Sequence, residues 1–428
     1  MSAIEQSNSE PGEAIRQRVE RALAAEQVDL TREQGRERTL HIIDREIADY
    51  HAHALNNGGG GQLTEQDRAA LARSLRDDLI GLGDIAERML SDPTAQEWMV
   101  NSPKRVFRDN GERIERVPDL LFEDDRQVRA FLERLLEGVE GKRLDRITPR
   151  IEARLPDGSR LTAAIPPVSS NGHVICSIRR FRLAAESLHE LVKLHFLSEQ
   201  AADFLAACVR AGKNVLIAGR VSAGKTTLLN ALGHAIPGAE RVVVCESSAE
   251  LHLPAVLPNC IGYEARPGSA DGLEPITLEN LVADALRQNP DRILIGECRG
   301  PETMAMLWAL ATGHAGMTSV HGESAEHALA NLARFALTSG ANIDSGQALE
   351  WLREIDLVIH CDRPRSYDSG DRRFLPRRID QIVEVAGIEG RRVTLNPLFT
   401  GAGADLQWAA TGPAYLDDLE HAGFEAPR

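Results

Sequence analysis

Residues 214–231, NVLIAGRVSAGKTTLLNA, constrain the chain more than any other stretch: an apolar run, a glycine-bounded loop and the start of a helix. Within it Gly219, Gly224, Lys225 and Thr226 satisfy G-x-x-x-x-G-K-[ST], a spacing that turns consecutive backbone N–H groups toward phosphate oxygens. Residues Ser222, Ala223, Gly224, Lys225, Thr226 and Thr227 would cradle the phosphates, with Lys225 reaching the β and γ groups. Thr226 would offer its hydroxyl to Mg²⁺, and the positive end of the helix would lie under the anion.

Composition narrows the ligand. The formal net charge is −15 and aromatic residues make up 4% of the chain. Polynucleotide binders carry a basic surplus, and single-strand binders add aromatic platforms, so no nucleic acid is expected. The six cysteines stand apart and form no C-x-x-C pair, which suggests reduced thiols in a cytoplasmic protein rather than a zinc ribbon or a disulfide framework. No apolar run approaches the ~18 residues of a membrane span, so any membrane contact should be peripheral.

At 428 residues there is room for two or three domains. Residues 1–62 read as an acidic arm, helical or partly disordered. Ile15, Val19 and Leu23, then Leu40, Ile43 and Ile47, suggest two amphipathic helices, and the glycine run at 58–61 suggests a flexible joint. His51 and His53 lack further ligand types nearby and read as surface residues. Residues 63–187 mix short β-rich runs with helices and predict a compact α+β domain. Its clearest helix begins at Asp125, where Val128, Phe131, Leu132, Leu135 and Leu136 fall on one face. A turn signal at Pro156, Asp157 and Gly158 separates Arg154 from Arg160, and Arg179 lies on a later strand. On their own these arginines read as a solvated face.

Residues 188–400 alternate strands with helices, and 401–428 form a C-terminal tail. After the loop, the runs RVVVC (241–245) and RILIG (292–296) have the β-branched, apolar character of strands buried in a parallel sheet. Each ends in a carboxylate, Glu246 or Glu297, at the edge where doubly wound sheets bind ligands. Cleaving the β,γ bond of ATP requires neutralised phosphate charge, a held Mg²⁺ and an oriented water. Glu297 is assigned to the metal, directly or through water, and Glu246 to the water. Two further histidines, His314 and His321, flank a short strand where an imidazole could sense the γ-phosphate. No N-K-x-D guanine-reading motif occurs.

Together these residues resemble the secretion and pilus-assembly ATPases of type II and type IV systems, most closely the CpaF branch that serves tight-adherence (Flp) pili. The resemblance covers residues 85–399 and is carried by ARLPDGSRLTAAIPP (153–167), CSIRRF (176–181), AGKTTLLNAL (223–232), CESSAELHL (245–253), ALRQNPDRILIGECRGPE (285–302) and ATGHAGMTSVHGES (311–324). It implies an α/β fold: a RecA-like motor domain with a parallel-rich sheet behind a smaller α+β domain and a helical arm. It also implies a homohexameric ring, ATP and Mg²⁺ as cofactors, an inner-membrane platform protein as partner and a peripheral position on the inner face of the cell membrane. Glu246 would lie in the family's aspartate box, Glu297 in its Walker B strand, and His314 and His321 in its histidine box. Arg154, Arg160 and Arg179 become candidates for contacts to the γ-phosphate.

Three departures stand out: Arg220 and Ser222 where relatives typically carry glycine, Ser247 in place of an acid, and Gly322-Glu323 in place of Ala-Asn. The missing four-cysteine zinc site favours the CpaF or type IV branches. Two other readings remain open, a conjugation-type type IV traffic ATPase and a nucleotide-switched scaffold that hydrolyses little.

Overall fold

The computed structural model describes residues 10–26, 28, 33–56, 63–79, 84–137, 139, 142–180, 187–266, 268, 274–368, 371–409 and 411–427. The chain divides into two compact units, Met1–Phe181 and Arg182–Arg428.

The first unit begins with three helices, α1 (Glu10–Ala25), α2 (Glu33–Asn56) and α3 (Glu65–Leu79). They close a core of their own around Ile15, Val19, Ile42, Ile43, Ile47, Leu71 and Leu75. Residues 1–62 carry two helices, as their spacing suggested, and α3 from the following segment completes a three-helix bundle with them. The buried stripe of α2 runs through Thr39, Ile42, Ile43 and Ile47 and leaves Leu40 37% exposed, because a partner on either side of α2 rotates its face by about one residue. Ion pairs at the rim, Arg18 to Glu46 at 3.1 Å and Arg76 to Asp44 at 2.6 Å, fix the helix pairing more than they stabilise it. The expected glycine joint falls outside the described residues.

The rest of this unit is a six-stranded sheet in the order β3-β2-β1-β6-β5-β4. Its strands are β1 (Glu97–Ser102), β2 (Arg105–Asp109), β3 (Ile114–Arg116), β4 (Arg150–Arg154), β5 (Arg160–Ala164) and β6 (Ile175–Arg179), paired antiparallel throughout. Helix α4 (Asp125–Leu135) buries Val128, Phe131, Leu132 and Leu135 in the same core as Trp98, Leu161 and Ile178. Its N-terminus is fixed by the Asp124 carboxylate, which accepts from the Gln127 N–H.

The second unit is built on an eight-stranded sheet in the order β16-β15-β12-β7-β11-β10-β8-β9. Six of the strands run parallel: β7 (Val215–Gly219), β8 (Val242–Glu246), β9 (Cys260–Glu264), β10 (Arg292–Ile295), β11 (Ala315–His321) and β12 (Leu357–Asp362). A short hairpin of β13 (Arg365–Asp368) and β14 (Asp371–Phe374) follows β12. Antiparallel β15 (Arg378–Glu389) and β16 (Arg392–Pro397) then close that side of the sheet.

Both faces of the sheet are covered. On β7, Val215 and Ile217 enter one core with α5 (Glu199–Arg210) and α6 (Lys225–Gly233), while Leu216 and Ala218 enter the other with α7 (Leu278–Ala285), α8 (Glu302–Ala311) and α9 (Ala325–Leu337). That double burial is why the strand sequence is apolar without alternation. All six cysteines are free thiols. Burial pushes those of Cys176, Cys245 and Cys298 up to about 12, leaving them inert at neutral pH.

The tail beyond Gly401 is part of this unit. Trp408 and Phe424 join Phe204 of α5 and Phe399 in an aromatic cluster with ring centroids 5.3–5.5 Å apart.

Candidate functional site

Four neighbouring parallel strands, β7, β11, β10 and β8, deliver their carboxyl ends to one edge of the sheet, and each brings a residue of the expected site. Strand β7 ends at Gly219, where an added Cβ would lie 2.5 Å from the Cys361 carbonyl oxygen on β12, so only glycine allows this approach. The loop then turns through left-handed residues at Ser222 (φ 59°) and Gly224 (φ 102°) into α6, whose first residues are Lys225, Thr226 and Thr227. Alternating conformations of this kind line up backbone N–H groups around a concavity suited to an anion, here continuous with a helix N-terminus.

Lys225 is 7% exposed and its ammonium is held on three sides. It donates to the Arg220 carbonyl at 3.2 Å, lies 3.2 Å from His321 Nδ1, and stands 3.8 Å from Glu297 Oε1. His321, the last residue of β11, bridges the other two: its Nε2 lies 3.0 Å from Glu297 Oε1. The neutral Nε2–H tautomer satisfies both neighbours, accepting from Lys225 and facing the carboxylate with its proton. Arg299 donates to Glu297 Oε2 at 2.6 Å. Burial alone would raise the Glu297 carboxyl. The hydrogen bond from His321 and the charges of Lys225 and Arg299 outweigh it and hold the group at about 2.

That depression has a sign. A carboxylate held below its ordinary 4.5 contributes stability that is complete above about 4.5 and is lost as pH falls toward about 2. Thermal unfolding followed in pH steps through this window is expected to fall less steeply for Glu297→Gln than for the wild type. Parallel slopes would mean that the pairing contributes nothing.

The donor set fits Mg²⁺. Glu297 Oε1 is buried yet receives no well-directed hydrogen bond, and a carboxylate with the Thr226 hydroxyl offers the hard oxygen ligands that Mg²⁺ takes alongside phosphate oxygens. Among the described residues no three His, Cys, Asp or Glu side chains cluster as a self-sufficient metal site.

Glu246, the last residue of β8, is 4% exposed, and its carboxylate accepts from the backbone N–H groups of Glu250 (2.9 Å) and Leu251 (3.1 Å). In this conformation it caps the following turn. An added Cβ on Gly296 would lie 3.0 Å from its Cγ, so a side chain at position 296 would crowd the Glu246 carboxylate.

His314, expected as a nucleotide-binding residue, lies away from this constellation. It precedes β11, seven residues from His321, which in an extended strand is roughly 20 Å. Its Nδ1 lies 3.1 Å from the Ala309 carbonyl, and the ring lines an open cleft of about 450 Å³ with Arg210, Asn214, Asp291 and Arg292 at the sheet's amino edge. The strand between two histidines of one motif separates them by its length.

The three arginines lie in the first unit and fall in one row. Arg154 of β4 is the register partner of Arg160 of β5, and Arg160 is the partner of Arg179 of β6. Glu97 of β1 continues the row beside Arg179.

Some contacts had no signal in the sequence. Arg220 forms an ion pair with Glu323, so two of the departures from the family pattern meet each other. Arg377 Nε donates to the Ser222 carbonyl at 2.8 Å. Phe196 packs against Gly224, where an added Cβ would lie 3.1 Å from its ring. Only Arg299, two residues after Glu297, could have been suspected as that acid's partner.

Residues 83–385 match the family model described as type II/IV secretion system protein. A Mycobacterium tuberculosis protein named for conjugal transfer is 31% identical over 336 residues, covering 77% of this chain and 91% of its own. VirB11 of Agrobacterium fabrum is 28% identical over 300 residues, covering 63% of this chain and 85% of its own. Among solved structures, the pilus retraction motor PilT with bound ADP aligns over 69% of this chain and 82% of its own, at 16% identity and a TM-score of 0.49. With an open α/β sheet carrying the loop, the paired acids and the histidine along its carboxyl edge, the chain belongs to the type II/IV secretion system protein family, among the secretion ATPases.

Proposed function

We propose that the protein is a Mg²⁺-dependent ATPase that works as a homohexameric motor, powering pilus assembly or secretion through an inner-membrane platform protein. The observation that carries the proposal is the convergence of Lys225, His321 and Glu297 around the end of the phosphate-binding loop. Phosphoryl transfer to water demands little covalent chemistry from a protein, only positioned cations and an oriented nucleophile. Lys225 would neutralise the β and γ phosphates as they enter, releasing its present hold on Glu297. Mg²⁺, when bound, would neutralise phosphate charge and orient the reacting group, held by Thr226 and Glu297. His321, within reach of both Lys225 and Glu297, would register the γ-phosphate. Glu246 would exchange its turn-capping contacts for a water. The row of Arg154, Arg160 and Arg179 would supply further positive charge to the γ-phosphate.

The chain would act at the inner face of the cell membrane as a peripheral protein. Among the described residues no helix is long and apolar enough to cross a membrane. The tight-adherence pilus branch is the reading favoured by the sequence motifs. A conjugation-type role is the second reading, favoured by the 31% identity to the mycobacterial protein named for conjugal transfer.

Wild-type protein at micromolar concentration is expected to hydrolyse Mg-ATP, and Glu246→Gln to bind nucleotide as the wild type does while losing turnover by about two orders of magnitude or more. Nucleotide binding with wild-type turnover no faster than that of Glu246→Gln would overturn the motor and leave a nucleotide-switched scaffold.

A further inference from the structure

We propose that Arg377 is a positioning residue for the phosphate-binding loop, holding Ser222 in the left-handed conformation that the loop needs at a position where this chain has no glycine. The inference rests on the reading of residues 219–227 as the nucleotide-phosphate site. An L-residue with a side chain disfavours φ near +60°, because its Cβ crowds the following carbonyl. Ser222 nevertheless sits at φ 59°. Its carbonyl accepts from Arg377 Nε at 2.8 Å, and the Arg377 Cδ lies 3.6 Å from where a Cβ on Gly224 would stand. The arginine stem therefore runs along the loop between its two left-handed residues.

The support under Arg377 is rigid. Two residues later the Ile379 N–H donates to the Phe196 carbonyl at 2.8 Å, and Ile379 is the register partner of Cys361 on β12. Phe196 itself packs against Gly224. Arg377 is thus delivered from a backbone anchored on both sides, about 155 positions from the carbonyl it holds. A glycine at position 222 would adopt the same conformation without help. Serine does so at a cost, and a donor aimed at its carbonyl selects this loop shape over the alternatives.

The consequence falls on binding rather than chemistry. If the loop leaves its binding-competent shape, the apparent affinity for phosphate falls in proportion to the competent fraction. Once phosphate is bound, its own contacts hold the loop, so turnover at saturation changes little. The left-handed penalty of a residue with a Cβ corresponds to a loss of about tenfold.

The test measures binding of a fluorescent ATP analogue, steady-state KM and kcat, and melting temperature for five proteins: wild type, Arg377→Ala, Arg377→Lys, Ser222→Gly and Ser222→Gly/Arg377→Ala. Arg377→Ala is expected to raise Kd and KM about tenfold with kcat within about twofold. Arg377→Lys, which keeps a donor on a long stem, should recover most of the loss. In the Ser222→Gly background the same Arg377→Ala change should cost no more than about threefold, because the penalty it offsets is gone. An Arg377→Ala variant that binds within twofold of wild type overturns the proposal, and so does an equal loss in both backgrounds, which would mark general packing. A wild type that binds no nucleotide overturns the reading of the loop as well, and that result is distinct from either.

Discussion

Lys225→Ala is expected to abolish nucleotide binding and with it all ATP hydrolysis. The lysine is the cation that the loop can bring to the β and γ phosphates, and it is already desolvated, at 7% exposure, so its charge acts at full strength on an incoming anion. The variant also exposes the state in which the site waits. In the wild type Lys225 stands 3.8 Å from Glu297 and 3.2 Å from His321, an arrangement in which the future phosphate partner is held by a carboxylate. Removing the ammonium takes one of the two cations from Glu297, and its carboxyl is expected to rise from about 2. Isothermal titration with Mg-ATP and Mg-ADP checks the first effect. Retained binding within tenfold of wild type would remove Lys225 from the phosphate site. The acid-range unfolding series described for Glu297→Gln checks the second effect, with the Lys225→Ala curve expected between those of the wild type and the Gln variant.

The sequence was most legible where chemistry and backbone geometry share the same few residues. A glycine-bounded loop between an apolar run and a helix start could be placed on β7 and α6 because φ signs, helix dipole and lysine all sit within nine positions. Glu246, the last residue of β8, and Glu297, two residues past the end of β10, could be read near strand ends because a parallel sheet covered on both faces leaves long apolar runs that stop abruptly. The short strand expected between His314 and His321 is β11, Ala315–His321, and its length carries the two histidines to opposite edges of the sheet. Contacts between distant segments left no local trace. Nothing in residues 363–378 marks Arg377 as the partner of Ser222, and nothing near Arg220 points to Glu323, because both pairs are created by strand order rather than by spacing.

Deleting residues 401–428 is expected to cost more stability than any single change at the candidate site, although the segment lies beyond the stretch matched by the family model. Phe204 on α5 is completely buried, and three of its aromatic neighbours are Phe399, Trp408 and Phe424 at centroid distances of 5.4–5.5 Å. Removing the segment takes away Trp408 and Phe424 and uncovers Phe204 and Phe399. It also breaks polar ties between the tail and the sheet unit. Lys213 to Asp418 is 2.7 Å, the Arg210 guanidinium donates to the Ala422 carbonyl at 2.8 Å, and the Ala414 N–H donates to the buried Glu384 carboxylate at 2.8 Å. Loss of one large aromatic from a packed core costs ~3–5 kcal/mol, and two go here. For a unit of this size that corresponds to a fall in melting temperature of roughly 10–20 °C, or to insoluble protein. The point variant Phe204→Ala keeps the full chain and the tail's polar contacts and should show about half the loss. Lys225, Glu297 and His321 are not among the partners named for Phe204, so Phe204→Ala assayed well below its melting point should retain nucleotide affinity. A truncated protein that melts within a few degrees of wild type would show that the aromatic cluster is not what holds the tail. A Phe204→Ala variant that loses affinity while remaining folded would show that α5 transmits its packing to the loop through the core it shares with α6.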